Sequence, residues 1–132
     1  MLLEPRFEQD YRVQKEVRSL HAAGHQICVL NPGPRGRVSA EGVAVLGFDA
    51  PTGITARIHN LVAALSWRHR AWQRALEGAC AELEPDAIHV HDLPLVATAL
   101  AVARPRGLRV VADLHENMPY LMQLIVDQRR WV

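Results

Sequence analysis

Val13, Val17 and Leu20 in DYRVQKEVRSLHAAGH are spaced as one helical face. Positions i, i+4 and i+7 predict an amphipathic helix. Asp10 is placed to cap its start, and Gly24 to end it at a C′ position. The period then changes. QICVL is a short β-branched run that predicts a buried strand, and NPGPRGR predicts a loop by its Pro and Gly content. GVAVLGF predicts a second strand, closed by DAPTG.

The second half repeats the alternation. Ile58, Leu61, Val62, Leu65, Leu76 and Leu83 supply the apolar positions of a helical region over 55–83, with a break expected near Ser66–Trp67. Glu84–Pro85–Asp86 stops it. AIHVH predicts a strand, followed by a helix from about Leu95 to Ala103. RPRG turns the chain into LRVVADLH, a further strand. A last helix is expected from Asn117–Pro119 onward, where Pro119 suits a first helical turn.

Apolar strands alternating with helices imply an α/β fold, a Rossmann-like, mostly parallel sheet with helices on both faces. Such sheets bind ligands outside the carboxyl ends of their strands. HVHDLP and DLHEN both fall there. The amino end departs from the pattern. Only Met1, Leu2 and Leu3 precede EPRFEQD, so the expected first strand is truncated. Unpaired backbone in mid-sheet is costly. Met1–Leu3 is therefore expected to pair as a stub, or a partner chain, such as a second copy, to cover the gap.

Composition narrows the function classes. The chain has 132 residues, enough for one domain, and half are apolar. Fifteen basic residues stand against fourteen acidic ones, which argues against a nucleic-acid protein built on a basic surface. Cys28 and Cys80 have no pair spacing and read as small buried hydrophobes. No spanning run of about 18 apolar residues exists, and MLLEPRFEQD lacks a signal-peptide pattern. A cytoplasmic protein is expected. SWRHRAWQRA joins Trp67, Trp72, Arg68, Arg70 and Arg74, a composition that suits contact with an anionic membrane surface. The plainer expectation is a solvated helix face with its Trp turned inward.

The chemistry-bearing residues cluster in two places. In HVHD, strand alternation sends His89 and His91 to one face and Asp92 to the other. Same-face histidines can ligate a metal, with His115 and Asp113 or Glu116 completing a site, as in a small metal-dependent hydrolase. The alternative is a structural His89, with ligand-facing groups only at the strand end. In DLHEN, Asp113 and His115 share a face and Glu116 opens the loop. A His beside a carboxylate can act as a base or bind a sugar hydroxyl. There is no G-x-G-x-x-G, P-loop, G-x-S-x-G or C-x-x-C.

Taken together, QDYRVQKEVRSLHAAGHQICVL and EPDAIHVHDLPLVATALAVARPRGLRVVADLHENMPY resemble the amino-terminal domain of retaining glycosyltransferase family 4. The shared pattern is D-x-R-V-x-K-E-x-x-S-L-x-x-A-G-H, then D-x-I-H-x-H-D, then a strand ending in D-x-H-E. It covers residues 9–30 and 84–120. The resemblance implies the acceptor-side half of a two-Rossmann-domain enzyme. That enzyme would move a hexosyl unit from a nucleotide sugar to a sugar, lipid or small-molecule acceptor. It implies His115 and Glu116 near the transferred sugar. His91, Asp92, Asp10, Arg12 and Asn117 would be substrate-binding. No metal ligand and no cofactor beyond the donor substrate are implied. The donor-gripping domain lies outside residues 1–132, so this chain alone is expected to be inactive, and a separate donor-binding partner or domain is expected. A non-catalytic binding or interaction module of the same fold is the alternative.

Overall fold

The computed structural model describes residues 1–2, 7, 10–34, 36–40, 43–55 and 68–114. Helix α1 spans Tyr11–Ala22. Three strands follow, β1 (Cys28–Pro32), β2 (Gly36–Ala40) and β3 (Val43–Phe48). Helix α2 spans Arg70–Leu83 and strand β4 Ala87–His91. Helix α3 (Leu93–Ala103), a 3₁₀ turn over Arg104–Arg106 and strand β5 (Arg109–Asp113) complete the described chain.

The expected stub is present. Leu2 forms parallel bridges to Leu30 on one side and Val90 on the other. Its N–H donates to the His89 carbonyl (2.8 Å), and its own carbonyl accepts from the His91 N–H (3.1 Å). The Leu30 N–H donates to the Met1 carbonyl at 2.8 Å. One residue thus joins two half-sheets. β1 pairs parallel with β3, β4 pairs parallel with β5, and β2 runs antiparallel on the outside of β3. The order across the sheet is β2–β3–β1–Leu2–β4–β5. Chain order reverses at Leu2. That makes the gap between β1 and β4 the topological switch point of a doubly wound sheet.

Alternation along the strands divides the core into two layers. Val29, Val43 and Val45 pack with Phe7, Val13 and Val17 of the α1 side. Leu2, Leu30, Ile88 and Val90 face Trp72, Leu76 and Cys80 of α2 and Leu95, Ala99 and Val102 of α3. Both faces are covered by helices, the arrangement that parallel sheets require. The buried stripe of α2 repeats every four residues, and Trp72 meets Phe48 edge-to-face at 4.7 Å. Trp72 therefore turns inward while Arg68, Arg70 and Arg74 stay exposed. Trp67 lies outside the described residues, as do 56–66 of the expected helical region. Cys28 and Cys80 form no disulfide among the described residues, and burial pushes the Cys80 thiol up, so it stays protonated in the core. Among the described residues no helix is long and apolar enough to cross a membrane.

Local signals place the ends of the helices. Gly24 takes φ +89° and its N–H returns to the His21 carbonyl (2.9 Å), while the His25 N–H reaches Leu20 (3.1 Å). Glu84 and Gly107 both adopt left-handed backbone, ending α2 and the RPR turn. The amino end of α2 is satisfied from elsewhere: the His69 N–H donates to Thr98 Oγ1 of α3 at 2.9 Å.

The expected loop NPGPRGR is shorter than its composition suggests. Asn31 and Pro32 end β1, and Gly36 and Arg37 begin β2, a strand that GRVSA did not signal. The turn between them closes on Gly47. An added Cβ there would lie 1.9 Å from the Pro34 carbonyl oxygen. Backbone cannot yield as a side-chain tip does, so Gly47→Ala is expected to destabilise by about 1–3 kcal/mol or more, measured as a shift in the urea midpoint.

Candidate functional site

The carboxyl ends of the stub, β4 and β5 meet beside the switch point. β4 carries Ile88 and Val90 into the α2–α3 layer, so His89 and His91 must face α1. Their rings stack there, centroids 4.6 Å apart. Across from them α1 presents Glu16, one residue before buried Val17. Glu16 Oε1 lies 3.2 Å from His89 Nδ1, and Oε2 3.6 Å from His91 Nε2. On the neighbouring strand Asp113 stands opposite His91 in register, with Oδ2 3.5 Å from His91 Nδ1. His91 is 1% exposed and Asp113 44%. A buried imidazole is thus held between two carboxylates, one from the helix and one at the open strand end.

Asp92 is the single residue between β4 and α3. It adopts φ +68° and ψ 149°, a region that favours glycine and that a branched side chain occupies only under strain. Its N–H donates to the Asp113 carbonyl at 3.0 Å, tying the two strand ends together. Leu93 and Pro94 then open α3, with Pro94 in its first turn, where a missing N–H costs nothing. Helix continuation demands the sharp corner, and the corner sets a half-buried carboxylate at the strand edge, with Oδ1 shielded from solvent.

Asp10 and Arg12 sit at the start of α1, which follows the stub. Asp10 Oδ1 accepts from the Arg12 N–H (3.0 Å) and the Val13 N–H (3.3 Å). Asp10 thus caps the helix as its position suggested. Arg12 reaches back to Asp10 Oδ2 at 3.5 Å and is otherwise exposed. Burial pushes the Asp10 carboxyl up, but the Val13 and Arg12 amides and the Arg12 charge outweigh it and hold the group below its usual range. A depressed carboxyl stabilises the fold above its unfolded value and stops doing so as pH falls through the lower folded value. Asn caps about as well as Asp. Asp10→Asn is therefore expected to keep most of the stability at pH 7 and to lose less on acidification. Urea midpoints at pH 7 and pH 3 measure this.

Of the site residues expected from the sequence, His91, Asp92, Asp10 and Arg12 are described. His115, Glu116 and Asn117 lie outside the described residues. The structure brings His91 and Asp92 together with Asp113. It also adds Glu16, which sequence reasoning passed over. Its signal was its place beside the buried stripe of α1, an acidic side chain one residue before a core valine.

The family model described as glycosyl transferase 4-like domain matches residues 9–132. No curated protein and no solved structure matches significantly. A match over nearly the whole length agrees with the parallel sheet, the two helical layers and the polar switch-point edge. The chain belongs to the glycosyl transferase 4-like domain family, as an amino-terminal, Rossmann-like glycosyltransferase domain.

Proposed function

We propose that residues 1–132 form the acceptor-binding half of a retaining glycosyltransferase. The enzyme moves a hexosyl unit from a nucleotide sugar to a sugar, lipid or small-molecule acceptor. The observation that carries this reading is the position of Asp92: a strained carboxylate at the switch-point end of β4, where doubly wound sheets bind ligands. Asp92 and the half-exposed Asp113 offer acceptors for sugar hydroxyls, and the exposed Arg12 at the start of α1 offers donors. His91 is too buried to form the surface of the wall, and serves it from below by holding Asp113. Beyond β5 and Leu114, His115 and Glu116 are assigned to the transferred sugar and Asn117 to substrate binding on the strength of the family pattern.

In this reading the donor diphosphate is gripped by a second domain or partner chain, and no metal ion takes part in the transfer. The residues of this half position the acceptor and stabilise developing charge rather than forming a covalent intermediate. The reaction takes place in the cytoplasm, with the exposed Arg68, Arg70 and Arg74 near the membrane surface where a lipid acceptor would lie.

The test uses the protein that joins this chain to its donor domain, assayed with nucleotide hexoses and sugar or lipid acceptors. His115→Ala is expected to lower both transfer and donor hydrolysis by about 100-fold or more. Proton NMR of the product is expected to show the donor's anomeric configuration retained. Unchanged rates in His115→Ala, or an inverted product, would sink the reading.

A further inference from the structure

The transferase reading gives Glu16 and His89 no task, although both face His91. Glu16, His89, His91 and Asp113 come from three separate elements. One nitrogen or oxygen of each lies within 4.8 Å of the others. We propose that Glu16, His89 and His91 bind a single zinc-class divalent cation, with Asp113 orienting His91. The proposal goes beyond the transferase reading and does not depend on it.

Geometry is the first argument. Zinc binds His nitrogen and carboxylate oxygen at about 2.0–2.2 Å, which sets neighbouring tetrahedral ligands roughly 3.4 Å apart. Glu16 Oε1 to His89 Nδ1 is 3.2 Å, and Glu16 Oε2 to His91 Nε2 is 3.6 Å. Each histidine nitrogen thus stands at that spacing from its own oxygen of the Glu16 carboxylate, and one donor atom from every residue of the cluster falls within 4.8 Å of the rest. The two imidazoles stack at 4.6 Å because strand alternation puts them on one face, so neither needs a new rotamer to converge on Glu16. If His91 ligates through Nε2, its Nδ1 faces the Asp113 carboxylate at 3.5 Å. That is the carboxylate–histidine–metal arrangement, in which the outer carboxylate fixes tautomer and ring orientation.

Charge is the second argument. Two carboxylates bracket an imidazole that is 1% exposed. Glu16 and Asp113 keep part of their surface in water, at 32% and 44% exposure, but the oxygens turned toward the ring face a group that water does not reach, where a cation is favoured. A divalent cation with two neutral imidazoles and two carboxylates leaves the site neutral. Imidazole with carboxylate selects zinc, cobalt, nickel or ferrous iron, while magnesium and calcium prefer oxygen-only shells. His89 Nε2 is also buried and has no hydrogen-bond partner among the described residues. This ring is therefore oriented through Nδ1, the atom that faces Glu16. The bound ion would tie α1 to β4 directly under Asp92, and so pin the corner that carries the proposed acceptor contact.

The test needs no transferase assay. The full chain is stripped with a chelator and titrated with Zn²⁺ by calorimetry, and with Co²⁺ by visible absorption. One ion per chain is expected, with a Co²⁺ spectrum of low-coordinate, imidazole-containing type. Asp113→Asn is expected to weaken binding by about 10–100-fold, and Glu16→Gln and His89→Ala by at least as much. His21→Ala and His25→Ala, both at exposed positions, leave binding unchanged. Should His89→Ala fail to fold by circular dichroism, the isosteric Glu16→Gln decides alone. The proposal is overturned if no stoichiometric ion is taken up, or if uptake is indifferent to Glu16→Gln.

Discussion

Leu2→Ala is expected to destabilise the chain by about 2–5 kcal/mol, the range for truncating a fully buried leucine. Leu2 is 2% exposed and packs with Leu30 and Val90 in the α2–α3 layer. A small domain has only about 5–15 kcal/mol in total, so the loss is a large share of the fold. Alanine keeps the backbone pairing. Leu2→Pro removes the N–H that the His89 carbonyl accepts, and is expected to cost more than alanine does. The difference between the two separates the side chain from the strand it occupies. Urea denaturation followed by circular dichroism reads both. A Leu2→Pro variant as stable as Leu2→Ala would mean that the two half-sheets stand without the stub.

Asp92→Gly is expected to separate stability from ligand binding. Strain at a non-glycine residue in this region costs on the order of 1–3 kcal/mol. Glycine relieves it, but gains unfolded freedom that costs about 0.5–1 kcal/mol. The net expectation is a more stable protein, by about 1 kcal/mol, read as a higher urea midpoint. The same change removes the carboxylate. A charge-assisted hydrogen bond is worth about 1.5–3 kcal/mol, so acceptor affinity should fall by roughly 10- to 100-fold. Asp92→Ala loses the carboxylate but keeps the strained backbone. It should therefore bind as poorly as Asp92→Gly while being no more stable than the natural chain. A Gly variant less stable than the Ala variant would show that the corner is not strained.

These two positions also mark how far the sequence could be read. The corner at Asp92 was legible in part: AIHVH ending at His91 and Pro94 soon after mark a sharp turn, but the helix starts at Leu93 rather than about Leu95, so that Asp92 alone makes it. The helix ends at Gly24, Glu84 and Gly107 were legible for the same local reason, because left-handed backbone and proline act within a few residues. The stub followed from physical necessity rather than pattern, since a doubly wound sheet needs a strand between β1 and β4. Strand β2 was not legible. GRVSA is short and begins with glycine, and it becomes a strand only because β3 offers an edge for it to pair with. Glu16 was hidden for a different reason. Its partners are more than seventy residues away, and only packing α1 against the sheet brings it over β4. The same packing buries His91, which strand alternation alone left at the rim.

The carboxyl end of β4, beside the stub, is proposed as the wall that holds a sugar acceptor. Amide chemical-shift mapping of the isotope-labelled chain tests it most directly, with monosaccharides, disaccharides and polyols titrated in turn. Saturable shifts are expected to centre on Asp92 and Leu93, to extend to Asp10 and Arg12, and to vanish in Asp92→Ala. Saturable shifts confined to the opposite edge, around Cys28 and Ala87, or no saturable response to any sugar, would contradict it.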